Sequence, residues 1–250
     1  AAPTLSELIF LTTASFLTAV LSGTLGLGGG SILIVLMLTV MSPAQAIPFH
    51  GVIQLVSTGS RVYLFRRETA WPLVLRYSAF LAPGVAVGML LFQGLSETAI
   101  EIAIGVFVLS ALYLKRLRVF GDRDTPPAFF YPFGFVVGAL SIVVGGVGVL
   151  FGPFVVRKGL AKEAIVGTQS SLASATHLAK VVAFGLIGFQ FQAHLTSFAL
   201  ILPAVILGAI VGRYLLSRVN ERVFLWLYHA TLIALSLKLI LWNGILQVWA

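Results

Sequence analysis

The sequence contains no cysteine, which removes disulfides, thiolate chemistry and cysteine-ligated metals from consideration. Charge is nearly as scarce: 10% of the 250 residues are Asp, Glu, Lys or Arg, against about 25% in an average soluble domain. The four histidines, His50, His177, His194 and His229, are scattered and form no His-x-x-x-His pair, so neither a metal nor another cofactor is expected. The opening Ala1-Ala2-Pro3 lacks a basic n-region, so no signal peptide is expected there. What is abundant is apolar. Hydrophobic residues make up 59% of the chain, and its mean hydropathy is +1.04. A soluble fold of this size cannot hide so much apolar surface, so lipid must be the solvent for much of it. The formal net charge of +8 sits in short clusters between apolar runs, the pattern of cytoplasmic loops in a membrane protein and not of a nucleic-acid surface.

One unit recurs within the chain. The stretch Leu25-Gly26-Leu27-Gly28-Gly29-Gly30-Ser31 returns as Val143-Val144-Gly145-Gly146-Val147-Gly148. Arg61-Val62 to Phe65 returns as Lys180-Val181 to Phe184, Gly84-x-x-x-Gly88 as Gly208-x-x-x-Gly212, and Glu97 as Glu221. Four matches in the same order are not chance, and they divide the chain into residues 1–128, a first repeat with a cytoplasmic linker, and 129–250, a second. Basic residues then orient each copy. Arg66-Arg67 and the stretch from Lys115 to Arg123 place two first-copy loops inside; Arg157 to Lys162 and Arg213 to Arg222 do so in the second. The loop before the Arg61 span is outside, and its equivalent before the Lys180 span is inside. The two copies are therefore inverted with respect to the membrane, a layout common among secondary transporters.

The expected fold is an all-α integral membrane protein of two inverted-topology repeats, each a Gly-rich broken or re-entrant helix hairpin followed by three transmembrane helices. Those spans run Ala46–Phe65, Leu73–Phe92 and Thr98–Leu114, then Glu163–Leu186, Leu195–Leu215 and Val223–Trp242. The return arms of the hairpins, Ser31–Met41 and Val149–Val156, are too short for a hydrocarbon core of about 30 Å. A Gly-rich turn opening a helix presents unpaired N–H groups and the positive end of the helix dipole, which suits an anion. The candidate binding residues at these tips are Gly28, Gly29, Gly30, Gly145, Gly146 and Gly148. Gly84, Gly88, Gly208 and Gly212, at helical spacing inside full spans, are expected only to let helices pack.

A polar stripe follows each tip. His50, Gln54, Ser57 and Arg61 fall on one helix face at i, i+4, i+7 and i+11. The same spacing in the second copy gives Gln169, Ala173, Thr176 and Lys180, with Ser170, Ser174 and His177 alongside. Polar groups inside spans usually face a cavity, and a cation at the end of each stripe suits an anionic substrate. The alternative is that Arg61 and Lys180 snorkel to headgroups and that the histidines serve packing instead of proton relay. Candidate binding residues on the stripes are His50, Gln54, Ser57, Arg61, Gln169, Ser170, Thr176, His177 and Lys180.

This pairing of Gly-rich segments with polar spans resembles the sulfite exporter TauE/SafE family of membrane transporters, on Gly28-Gly29-Gly30, Gly145-Gly146 and the spans after them, from about Phe16 to Lys238. Members follow the Gly run with Pro-Leu; Gly152-Pro153-Phe154 comes close, whereas the first copy reads Ile34-Val35-Leu36. The resemblance implies a transporter of small sulfur-containing anions such as sulfite, thiosulfate or organosulfonates, multi-pass in the cell inner (plasma) membrane. The implied partners are the anionic substrate, the lipid bilayer and, for a driven carrier, a coupling proton or sodium ion; a homodimer is compatible, and nucleic acid is not expected. A passive anion channel is the rival reading. An intramembrane serine hydrolase is disfavoured, because Ser170 near His177 lacks a Gly-x-Ser-x-Gly elbow and an orienting carboxylate.

Overall fold

A computed structural model of the protein describes residues 3–25, 29–114, 124–155, 161–215, 230, 233–234 and 236–241. Among the described residues the α-helices follow in order: α1 (Leu5–Leu25), α2 (Gly29–Met37), α3 (Pro43–Phe65), α4 (Trp71–Ala79), α5 (Leu81–Gly94), α6 (Glu97–Leu114), α7 (Phe130–Val144), α8 (Phe151–Val155), α9 (Lys162–Leu186) and α10 (Leu195–Leu215). Among the described residues there is no strand. Gly28, Glu221, most of Val223–Trp242 and the basic stretches Lys115–Arg123 and Arg157–Lys158 lie outside the described residues.

Local chemistry sets the ends and breaks. Thr4 and Glu7 open α1 as a capping box: the Thr4 amide donates to Glu7 Oε2 at 2.7 Å, and the Glu7 amide returns to Thr4 Oγ1 at 3.3 Å. The stretch expected as one span over Leu73–Phe92 is instead two helices, α4 and α5, bent by 43° at Phe80. Pro83 is the cause, since it has no N–H to give the Ala79 carbonyl one turn back. At the end of α7, Gly145 has φ +71° and ψ −56°, and the Gly146 amide donates to the Val144 carbonyl at 2.7 Å. This is a γ-turn of the strained hand, open to glycine because it carries no Cβ. A 3-10 turn over Gly148–Leu150 then leads into the five residues of α8.

Six full spans were expected; among the described residues the helices long and apolar enough to cross a membrane are three, over Leu5–Ser22, Pro127–Val144 and Phe191–Gly212, or four with the bent α4–α5 pair. The helices α3 and α9 have the length, 23 and 25 residues, but carry the polar stripes. They tolerate those residues because protein surrounds them. They pack on each other, flanked by α2, α7, α8 and α10, while α1 pairs with α10 and α5 with α7. The short α2, nine residues or about 14 Å, cannot cross a bilayer alone.

Small residues set the close approaches. A Cβ at Gly84 or Gly88 would run into the backbone of Phe135 or Ala139. Reciprocally, one at Gly134 or Gly138 would run into that of Tyr77 or Leu81, and Gly208 meets the Phe16 carbonyl in the same way. These are helix-packing glycines, as expected for Gly84, Gly88 and Gly208. Large apolar side chains such as Leu90, Leu200 and Leu207 cover the outer faces of α5 and α10, as lipid contact requires.

Candidate functional site

Between α3 and α9 lies a polar cavity of about 40 Å³. One water needs roughly 10–15 Å³ by this measure, so the space suits about three waters or one small oxyanion. The wall from α3 comprises His50, Gln54, Thr58 and Arg61; that from α9 comprises Gln169, Ser170, Ala173 and His177. Three wall residues of α3 have a wall residue of α9 119 positions further along the chain: His50 and Gln169, Gln54 and Ala173, Thr58 and His177. The two Gly-rich segments close the cavity: Gly30 and Ser31 from the first turn of α2, Gly146 and Gly148 from the break after α7, with Ser22 and Phe151 beside them. The segments touch, since Ser31 Oγ donates to the Gly146 carbonyl at 3.0 Å.

Side-chain donors hold the tip carbonyls. His50 Nε2 lies 2.9 Å from the Gly30 carbonyl oxygen; a carbonyl only accepts, so Nε2 carries the hydrogen. Lys180, fully buried, donates Nζ to the Gly145 carbonyl, its stem lying against Gly51 of α3. Arg61 Nε donates to Ser170 Oγ at 3.2 Å, while its buried Nη1 has no partner. Among the described residues no carboxylate lines the cavity. The wall is therefore electropositive, and it includes Gly30 and Ser31 from the first turn of α2.

Of the sequence-predicted residues, Gly30, Gly146, Gly148, His50, Gln54, Arg61, Gln169, Ser170 and His177 converge on this cavity. Five others serve differently or sit behind it. Gly29 is pressed against the Thr18 carbonyl and Ser22 on α1, where a Cβ has no room. Gly145 forms the turn and presents its carbonyl to Lys180, so both stand behind the wall. Thr176 is bonded to the Tyr77 hydroxyl at 2.6 Å, and Ser57 is buried off the cavity. Lys180 does not snorkel; it is interior and engaged with backbone.

Sequence reasoning passed over Ser22, Ser31, Thr58 and Phe151. Ser31 adjoins the Gly run, and Thr58 stands four residues after Gln54, so helical spacing could have found both. Ser22 and Phe151 carry no such signal, for only the fold brings α1 and α8 to the cavity.

A helical bundle with several helices apolar enough to cross a membrane, and polar helices sheathed by apolar ones, defines a multi-pass membrane protein. The chain belongs to the sulfite exporter TauE/SafE family, whose model matches residues 11–239, and it is thus a transmembrane transporter of that family. No curated protein and no solved structure matches the chain.

Proposed function

We propose that the protein carries small sulfur oxyanions, sulfite or thiosulfate, across the inner membrane by alternating access, the segments 1–128 and 129–250 moving about the central cavity. The observation that carries this reading is the wall holding Arg61, with a buried and unpartnered Nη1, beside two histidines and the first turn of α2, and no carboxylate among the described residues. Such a wall favours a fully anionic ligand and disfavours a cation or an ammonium-bearing zwitterion. Its volume favours inorganic oxyanions over longer organosulfonates. The 119-residue offset of matching wall residues on α3 and α9 supports two equivalent halves. So does the crosswise packing of α1 on α10 and α5 on α7, which exchanges equivalent helices between the halves. Ser170 accepts from Arg61 and Ser174 donates to Thr58, bonds suited to a binding wall and not to a nucleophile–base pair.

A thermal-shift screen of purified protein with sulfite, thiosulfate, sulfoacetate, taurine and nitrate tests it. Sulfite and thiosulfate should raise the melting temperature in the wild type and fail to do so in Arg61→Met. Stabilisation by taurine alone, or by none of them, would overturn the assignment. Tags at Gln93–Glu97 and Gln190–His194 should be reached from outside the cell, and a tag in the central loop after Asp122 should not; the opposite outcome ends the inverted-halves reading.

A further inference from the structure

Two histidine rings, His50 from α3 and His177 from α9, meet edge to face in the cavity wall, their centroids 5.6 Å apart and their planes at 71°. Both Nδ1 atoms are buried without a hydrogen-bond partner. Since His50 Nε2 keeps its hydrogen on the Gly30 carbonyl, Nδ1 of the neutral ring is a bare lone pair. His194 Nδ1 is unpartnered as well, but only the His50 and His177 nitrogens share a cavity wall, where something that arrives can meet them.

The charges around the pair decide what arrives, and when. Arg61 on α3 and Lys180 on α9, three residues beyond His177, are both basic. Tyr77 on α4 has its hydroxyl engaged by Thr176, and His194 lies beyond Phe49, against whose ring it packs. The described residues of α1, α2, α5, α7, α8 and α10 bring no titratable side chain to the wall. Neither Glu97 nor Glu101 of α6, nor Glu163 at the start of α9, lines it. With the cavity empty, nothing negative favours a proton on the imidazoles. An oxyanion inside adds negative charge beside the rings and so favours a proton on them.

We infer that the His50–His177 pair is a proton site that fills together with the substrate, so that the protein moves an anion and a proton in the same direction. This rests on the anion site proposed above. An imidazole Nδ1 lone pair takes H⁺ from hydronium, forming an N–H bond and leaving water. On release the bond breaks, the proton returns to water on the far side, and no other covalent change occurs. The pair takes one proton, because two adjacent imidazolium rings repel. A dianion carried with one proton still moves net negative charge, so a membrane potential negative inside continues to favour exit.

Linkage makes the effect reciprocal: if the anion tightens proton binding, protons tighten anion binding by the same factor. The test is calorimetric titration of the purified wild type with thiosulfate, which stays fully ionised across pH 6–8, in two buffers of different ionisation enthalpy. The expected result is uptake of up to about one proton per anion, with affinity falling up to about tenfold per pH unit through the upper half of that range. His50→Gln and His177→Gln together should bring uptake toward zero and flatten the pH dependence, whatever the absolute affinity. Tight binding without proton uptake overturns the proton site and leaves the anion site standing. Uptake that survives both glutamine substitutions together and disappears in Lys180→Met places the proton on the lysine and also overturns it. Failure of both thiosulfate and sulfite to bind at any pH overturns the anion site itself, and the proton site with it.

Discussion

Arg61 and Lys180 occupy equivalent places in the two halves of the sequence, yet the structure gives them different work. Arg61 is in the cavity wall, with one nitrogen tied to Ser170 and another free of any partner. Lys180 is withdrawn behind the wall and spends its ammonium on the Gly145 carbonyl. The difference follows from the two Gly-rich segments that they serve. In the first half the nine-residue α2 begins at Gly29, and His50 holds the Gly30 carbonyl. In the second, Gly145 turns too sharply for a helix to resume at once, and the strained turn leaves a buried carbonyl that needs a strong donor. One half lends its cation to the cavity; the other spends its cation on the shape of the cavity.

The largest effect should come from exchanging charge for an apolar stem at these two sites. Arg61→Met should weaken anion affinity about ten- to a hundred-fold, since a charge-assisted hydrogen bond contributes roughly 1.5–3 kcal/mol and about 1.4 kcal/mol is a factor of ten. Its melting temperature should move little. Lys180→Met should show the reverse: a buried Gly145 carbonyl left without its donor costs about 1–3 kcal/mol of stability, while affinity falls less than in Arg61→Met. Binding isotherms and detergent melting curves on both variants check this. If Lys180→Met loses more affinity than stability, the two cations share one role after all.

Much of this was legible beforehand. The Gly runs, the polar stripes and the lengths of α3 and α9 follow from composition and the 3.6 period, which local sequence encodes. The roles of Lys180, Thr176 and Gly29 did not follow, because each depends on a partner that only tertiary packing supplies: the Gly145 carbonyl, Tyr77 and Thr18. The break between α4 and α5 was within reach, since Pro83 stands inside an otherwise apolar run. Hydropathy hid it, because a bent span is as apolar as a straight one.

The next effect separates the two turns. Gly145→Ala places a side chain at positive φ and presses its Cβ against Ile34, so it should cost on the order of 1–3 kcal/mol of stability. Gly30→Ala keeps helical backbone and meets only the end of the flexible Gln54 side chain at 3.1 Å. Its stability should change by a few tenths of a kcal/mol, since alanine is at least as good as glycine in a helix. Melting curves that fall equally for both would show that the two turns carry the same strain.

The smallest effect belongs to the hydrogen bond between the start of α2 and the break after α7. Ser31 Oγ donates to the Gly146 carbonyl at 3.0 Å, joining the first helical turn of α2 to the break after α7. A neutral buried hydrogen bond of this kind contributes about 0.5–1.5 kcal/mol net, so Ser31→Ala should lower the melting temperature slightly. The same bond sits in the cavity wall, and its loss frees the two segments to move independently. If alternating access works by parting the two halves at this seam, the bond belongs to a state in which the turns touch. Weakening it by about 1 kcal/mol should then change the populations of the states by roughly fivefold, because a ligand or mutation shifts such an equilibrium only by its differential energy. Transport rate in proteoliposomes should change by more than equilibrium anion affinity does. An equal change in both, or in neither, would mean that the turns stay joined throughout the cycle and that the moving boundary lies elsewhere.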